Sequence, residues 1–209
     1  MVKNMKKTFV VKIGSSVLLT RRNRLDEFRI THIADQIVSL KEAGIGVVLV
    51  ISGAVACGSR FIDLNESDDL SKRLSAGIGQ VLLTNTFYEI FKKKRLQIAQ
   101  VLLTKKDLYK KNQIVRILHK YVEKTIIPVI NENDVVDLNS FYGNDFLGAR
   151  ISILLQSTGY IILSTMKGSQ YGVGGSQTKQ DAINILKEKN IATDIVDGKV
   201  KNILFNTIL

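Results

Sequence analysis

The chain has 209 residues, 45% of them apolar, with one proline and one cysteine, which excludes a disordered or fibrous protein and an intrachain disulfide and suits a single domain in a reducing, cytoplasmic compartment. No apolar run is long enough to cross a bilayer, and Met1–Lys7 followed by the short stretch Thr8–Ile13 makes a poor signal peptide, so no membrane partner is expected. A formal net charge of +11 raises nucleic acid as a partner, but no zinc-knuckle spacing or RNA-binding aromatic motif accompanies it, and none is expected.

The first predicted strand, Phe9–Ile13, runs into Lys12-Ile13-Gly14-Ser15-Ser16. A lysine in a buried strand is costly unless its ammonium meets an anion. Gly14 lets a ligand approach the backbone closely, and the serines add hydroxyls and amides, so the segment suggests a phosphate site. Taken alone, Lys12 reads equally well as an edge lysine reaching for solvent. A helix is predicted over Glu27–Ala43 and a strand over Val47–Ile51. That strand leads into Ser52-Gly53-Ala54-Val55-Ala56-Cys57-Gly58, small residues that open a helix whose free N–H groups suit an anion. Cys57 reads as a small packed residue.

A long helix, Ser71–Lys92, precedes the strand Ile98–Leu103 and a helix over Lys106–Val122. The densest charge clusters, Lys92–Arg95 and Lys105–Lys106 with Lys110–Lys111, fall at predicted helix ends, where solvated lysines are the plainer reading. The strand Ile126–Ile130 is followed without a break by Asn131-Glu132-Asn133-Asp134, whose acids and amides can hydrogen-bond both ends of a zwitterion. A turn cluster is the plainer alternative. Tyr142-Gly143-Asn144-Asp145 then opens a helix over Asp145–Leu155; Asp145 is either an N-cap or the holder of cationic groups around a phosphate. After the strand Tyr160–Leu163, the run Gly172-Val173-Gly174-Gly175-Ser176-Gln177-Thr178-Lys179 resembles a second phosphate cradle with Lys179 as a charge clamp. It lacks Walker A spacing. A helix over Thr178–Lys189 and a strand over Ile191–Val196 complete the pattern. His32 and His119 lie inside predicted helices, and no Cys/His cluster suits zinc.

Nearly continuous Val, Ile and Leu strands alternating with helices predict an α/β fold: an open, mostly parallel sheet between two helical layers. Ligands bind such sheets beyond the carboxyl ends of the strands, where the polar segments above lie.

In this order, the five motifs resemble those of the glutamate 5-kinases of the amino acid kinase family, from about Thr8 to Asn202. Gly79-Gln80, Gln100–Thr104 with Asp107, and Leu163–Gly168 add to the likeness. The resemblance implies a three-layer αβα sandwich and one kinase domain over residues 1–209, without the RNA-binding-like PUA domain some members append. It implies ATP-dependent phosphorylation of the L-glutamate γ-carboxylate, the first step towards proline, with Mg²⁺ carried on the ATP phosphates. By the same likeness, Lys12 and Lys179 neutralise the phosphoryl group and Asp145 orients them. Ser52, Gly53, Ala54, Asn131, Asp134 and Asn144 lie on the glutamate side. Lys12, Gly14, Ser15, Thr165, Lys167, Gly174, Gly175 and Lys179 lie on the nucleotide side, and Gly14, Ser15, Gly53 and Ala54 offer backbone N–H groups. A homo-oligomer is expected by analogy.

Three departures stand out. Gly143 replaces an acid of the family's Gly-Asp-Asn-Asp. Val173 and Ser176 stand where Thr and Met are common. Between Gly168 and Gly172 the family carries several tens of residues; here there is either a deletion, expected to weaken ATP binding, or a loop left out of the chain. The alternatives are a kinase of this fold for another small acid or phosphate (N-acetylglutamate, aspartate, carbamate or uridylate) and a non-catalytic basic binding module.

Overall fold

The computed structural model describes residues 7–62, 68–165 and 176–209. Among them, six strands form one parallel sheet: β1 (Lys7–Ile13), β2 (Ile45–Ile51), β3 (Ile98–Leu103), β4 (Ile127–Glu132), β5 (Gly159–Ser164) and β6 (Ala192–Asp197). Their order across the sheet is β3-β4-β2-β1-β5-β6. Every pairing is parallel, as crossover helices require. The helices are α1 (Ser15–Leu18), α2 (Glu27–Glu42), α3 (Ala54–Gly58), α4 (Asp69–Lys93), α5 (Lys111–Glu123), α6 (Asn144–Leu155), α7 (Ser176–Lys187) and α8 (Ile203–Ile208).

Alternation along each strand divides the core in two. Val11, Ile13, Leu49, Ile51 and Val129 pack against α2 and α4 on one face. Val10, Val48, Val50, Ile130 and Ile162 pack against α5, α6 and α7 on the other. Side chains on a strand change face at each residue, so Lys12 shares a face with Val10, beneath α6 and α7. This αβα sandwich is the architecture expected from the alternation of apolar runs.

The sequence misses some details. β4 runs on through Asn131 and Glu132, because these polar side chains find partners inside the protein and keep the ladder to β3. The helix predicted to start at Lys106 begins at Lys111, after a tight 3-10 stretch over Lys105–Lys110. Thr104 explains that stretch: its N–H and hydroxyl both bond the Asp107 carboxylate, at 2.7 and 2.9 Å, which turns the chain tightly as it leaves β3. α1 and α8 are too short for periodicity to reveal. Among the described residues, no helix is long and apolar enough to cross a membrane.

Candidate active site

In the order β3-β4-β2-β1-β5-β6, the connection after β1 leaves towards β2 and the one after β5 leaves towards β6. The two diverge, and the crevice they open lies at the carboxyl ends of β1 and β5. Gly14 and Thr165 stand at its two sides, joined where the Gly14 N–H donates to the Leu163 carbonyl at 2.9 Å. That bond corrects one expectation: the Gly14 amide is engaged within the sheet. What Gly14 supplies is a close approach of the two strand ends, since a Cβ there would sit 3.3 Å from the Leu163 carbonyl oxygen.

Three elements converge on this crevice. β1 carries Lys12, the first turn of α6 carries Asp145, and the first turn of α7 carries Lys179. Lys12 Nζ lies 2.6 Å from Asp145 Oδ1, and Lys179 Nζ lies 3.5 Å from Asp145 Oδ2. One buried carboxylate thus holds two ammonium groups, one on each oxygen. Burial pushes the Lys12 pKa below its ordinary value; Asp145 opposes the shift and Lys179 adds to it. Two cations and one anion leave a net positive charge in a poorly hydrated place, which an incoming phosphate would offset.

Asp145 is held from behind. Gly143 is the N-cap of α6, so Asp145 is a residue of the first turn and not the cap. Tyr160, fully buried on β5, donates its hydroxyl to the Asp145 carbonyl at 3.0 Å. The ring fits only because residue 148 is glycine: a Cβ there would meet the Tyr160 hydroxyl at 2.3 Å. Gly143 adopts φ +113°, a conformation that L side chains avoid, so the residue replacing the family's acid is fixed by backbone geometry here.

The other predicted residues lie along neighbouring strand ends. The Ser52 hydroxyl donates to the Ile13 carbonyl at 3.1 Å, tying the end of β2 to that of β1. A Cβ on Gly53 would touch Ser15 at 3.3 Å, so the two segments are adjacent. Asn131 donates from Nδ2 to Gln80 Oε1 at 2.8 Å and accepts the Glu132 N–H at 2.9 Å. Asp134 accepts the Asn139 N–H at 3.0 Å, and burial raises its pKa. Ala54, Gln80, Glu132, Asn133 and Asp134 line one cleft of ≈ 570 Å³. The Asn144 Oδ1 is buried without a hydrogen-bond partner among the described residues. Lys167, Gly174 and Gly175, together with the Gly168–Gly172 join, lie outside the described residues.

Two residues of this region, Gln80 and Glu132, lie in motifs quoted from the sequence but carry no individual role there. Gln80 orients Asn131 from α4. Glu132 accepts the Phe141 N–H at 3.0 Å and so fastens the turn that leads to Asn144 and Asp145. Its pKa is raised to about 7, chiefly by burial. The signal for both was their place within those motifs, but which way their side chains turn is a tertiary matter.

Residues 7–168 match the family model of the amino acid kinase family. The chain is 35% identical over 196 residues to glutamate 5-kinase 2 of Bacillus subtilis; the match takes in 90% of this chain and 52% of the relative, so the chain spans about half that relative's length. It is 30% identical to the glutamate 5-kinase of Clostridium acetobutylicum, with 95% of this chain and 90% of the relative covered. That alignment runs over 239 positions, more than the 209 residues of the chain, so the relative carries residues this chain lacks. In fold, the chain is similar to the UMP kinase of Bacillus anthracis, with a TM-score of 0.67 at 14% identity over 96% of this chain and 91% of that one. It is also similar to an isopentenyl phosphate kinase, with a TM-score of 0.66 at 15% identity over 96% of this chain and 95% of that one.

Proposed function

The chain belongs to the amino acid kinase family, and we propose that it is a glutamate 5-kinase, transferring the γ-phosphoryl group of ATP to the side-chain carboxylate of L-glutamate. The observation that carries this reading is the pairing of Lys12 and Lys179 on the single carboxylate of Asp145.

A γ-carboxylate is ionised at neutral pH and is already a nucleophile, so the reaction needs no general base. One of its oxygens forms a bond to the γ-phosphorus as the bond to the β-phosphate oxygen breaks, giving γ-glutamyl phosphate and ADP. The barrier is the approach of two anions and the charge spread over the transferring oxygens. Lys12 and Lys179 come from β1 and α7, so they can flank that group from two sides; Asp145 fixes both in advance of the reaction, which avoids reorganisation during it. Tyr160 and Gly148 position Asp145 through its backbone.

L-Glutamate fits the strand-end cluster beyond β4. The carboxylates of Glu132 and Asp134 and the unpartnered Asn144 Oδ1 suit an ammonium group, which N-acetylglutamate lacks. Ser52, Gly53, Ala54 and Asn131 complete that side. Gly14, Ser15 and Thr165 face the β1–β5 crevice on the nucleotide side, with Lys167, Gly174 and Gly175 assigned there by resemblance. Mg²⁺ supplies charge neutralisation on the ATP phosphates when bound. Both oxygens of Asp145 already lie against lysines, so Mg²⁺ would enter on the ATP phosphates and would add to the charge neutralisation by Lys12 and Lys179 there. We place the protein in the cytosol, as a homo-oligomer and as one kinase domain serving the first step towards proline.

The test is ADP release with L-glutamate, N-acetylglutamate, aspartate and carbamate. Turnover is expected with L-glutamate, and Lys12→Ala and Lys179→Ala are each expected to lower kcat by about 100- to 1,000-fold with the fold retained. Faster turnover with another acceptor overturns the substrate, and near-normal kcat in either variant overturns the role of the lysines.

A further inference from the structure

Side chains on β4 change face at each residue, so its last two polar residues turn opposite ways. Asn131 turns towards α4, where Gln80 takes its amide. Glu132 turns to the face it shares with Ile130. It is only 4% exposed, and a carboxylate so placed costs free energy that only good hydrogen bonds offset. Those bonds come from one turn. Its Oε2 accepts the Phe141 N–H at 3.0 Å, and the Gly143 N–H also favours its ionised form. The Tyr142 N–H between them goes to the Asn139 carbonyl at 3.0 Å. Each amide of 141–143 thus has an acceptor, and two of the three share Glu132.

The turn needs such a holder. Tyr142 has φ +60° and Gly143 has φ +113°, so two successive residues lie in the left-handed half of backbone space. That conformation is uncommon for a bulky side chain such as tyrosine. Phe141 anchors the start of the turn in the core, whereas Tyr142 is 66% exposed. From Gly143, the N-cap, the chain passes directly into Asn144 and Asp145 in the first turn of α6. The Gly143 carbonyl accepts the Phe146 N–H at 3.1 Å. What fixes Gly143 therefore fixes where α6 starts and where Asp145 stands beneath the two lysines. A carboxylate suits this task, because N–H groups bind an ionised acceptor more strongly than a neutral one. Asp134 and Asp137 add like charge to Glu132, which leaves the N–H groups of the turn to stabilise it.

We propose that Glu132 is a positioning residue for phosphoryl transfer, holding the 141–143 turn so that Asn144 and Asp145 stand at fixed places in the site. This rests on the kinase reading above and deepens it: besides its charge on the substrate side, Glu132 acts on the reaction through Asp145. If the turn moves, the carboxylate against which Lys12 and Lys179 are set moves with it. A misplacement of about 1 Å in such a group costs about 100-fold in rate.

The test is a double-mutant cycle on the full chain, read as kcat and KM, with amide hydrogen exchange beside it. The acceptor is whichever of L-glutamate, N-acetylglutamate, aspartate and carbamate the wild type turns over fastest, so an error in the substrate shows separately from an error about Glu132. Glu132→Ala is expected to lower kcat about 10- to 100-fold and to change the KM for ATP by less than about threefold. In an Asp145→Asn background the same change is expected to cost less than about threefold, because the carboxylate it positions is already gone. Glu132→Gln keeps the shape and one acceptor oxygen, so its kcat is expected to fall between wild type and Glu132→Ala; it also serves if the alanine variant does not fold. Exchange at the Phe141, Gly143 and Phe146 amides is expected to quicken about tenfold in Glu132→Ala and by less in Glu132→Gln, whether or not the chain turns over any acceptor. Near-normal kcat in both variants, an equal loss of kcat in both backgrounds, a rise confined to the acceptor KM, or unchanged exchange at Gly143 and Phe146 overturns the proposal.

Discussion

Lys12 and Glu132 are ionisable side chains placed inside the protein, with opposite consequences. Lys12 keeps a carboxylate at 2.6 Å, so its charge has a partner even though burial lowers its pKa. Glu132 has only N–H donors to help it, with Asp134 and Asp137 adding like charge, and its pKa rises to about 7. The sign of the resulting pH dependence follows from linkage. The folded protein keeps the Glu132 proton over the range from the unfolded value, 4.5, up to about 7, and the unfolded chain does not. The stabilising contribution is therefore complete below 4.5 and is lost as pH rises through about 7. Thermal melts from pH 5 to 8 are expected to show Tm falling more steeply in wild type than in Glu132→Gln. Equal slopes would remove Glu132 from the account. At this scale the sequence was partly legible. Lys12 stood out as a cation in an apolar strand, and Asp145 by its place at a helix start. That they meet Lys179 could not be read from spacing, because residues 12, 145 and 179 are joined only by the folding of three separate crossovers; the family resemblance supplied that expectation.

Among the elements, α4 ties α3 to the end of β4. Its backbone lies directly against α3: a Cβ on Gly79 would fall 1.8 Å from the Ala54 carbonyl oxygen, and one on Gly58 would fall 1.9 Å from that of Ser75. The next residue, Gln80, reaches Asn131. Gly79-Gln80 is thus a contact pair, the glycine admitting α3 and the glutamine holding the end of β4. Gly79→Ala sets two effects against each other. Alanine favours a helix by about 1 kcal/mol, while forcing two backbones apart costs roughly 2–4 kcal/mol. The net loss of about 1–3 kcal/mol is expected to lower Tm by roughly 3–10 °C. A rise in Tm would show that α3 and α4 have slack. The central strands β1, β2, β4 and β5 were legible because both of their faces are buried, which leaves long apolar runs. The exceptions have physical causes: β4 continues through Asn131 and Glu132 on internal hydrogen bonds, and α1 has only four residues, about one turn.

In the whole molecule, the parallel order β3-β4-β2-β1-β5-β6 brings the chemistry to one edge. Every strand points its carboxyl end the same way, so the polar residues after β1, β2, β4 and β5 gather there. Burying both faces of the central strands β1, β2, β4 and β5 leaves that edge as the place where uncompensated charge can meet a ligand. The most direct measurement of the central claim is a structure of the chain with ADP, aluminium fluoride and L-glutamate. The trigonal fluoride stands in for the phosphoryl group in flight. The account predicts the fluoride within about 3 Å of both the Lys12 and Lys179 ammonium groups, with the glutamate γ-carboxylate in line on the side away from ADP. A fluoride bound away from both lysines, with the Lys12–Asp145–Lys179 cluster undisturbed, would contradict it.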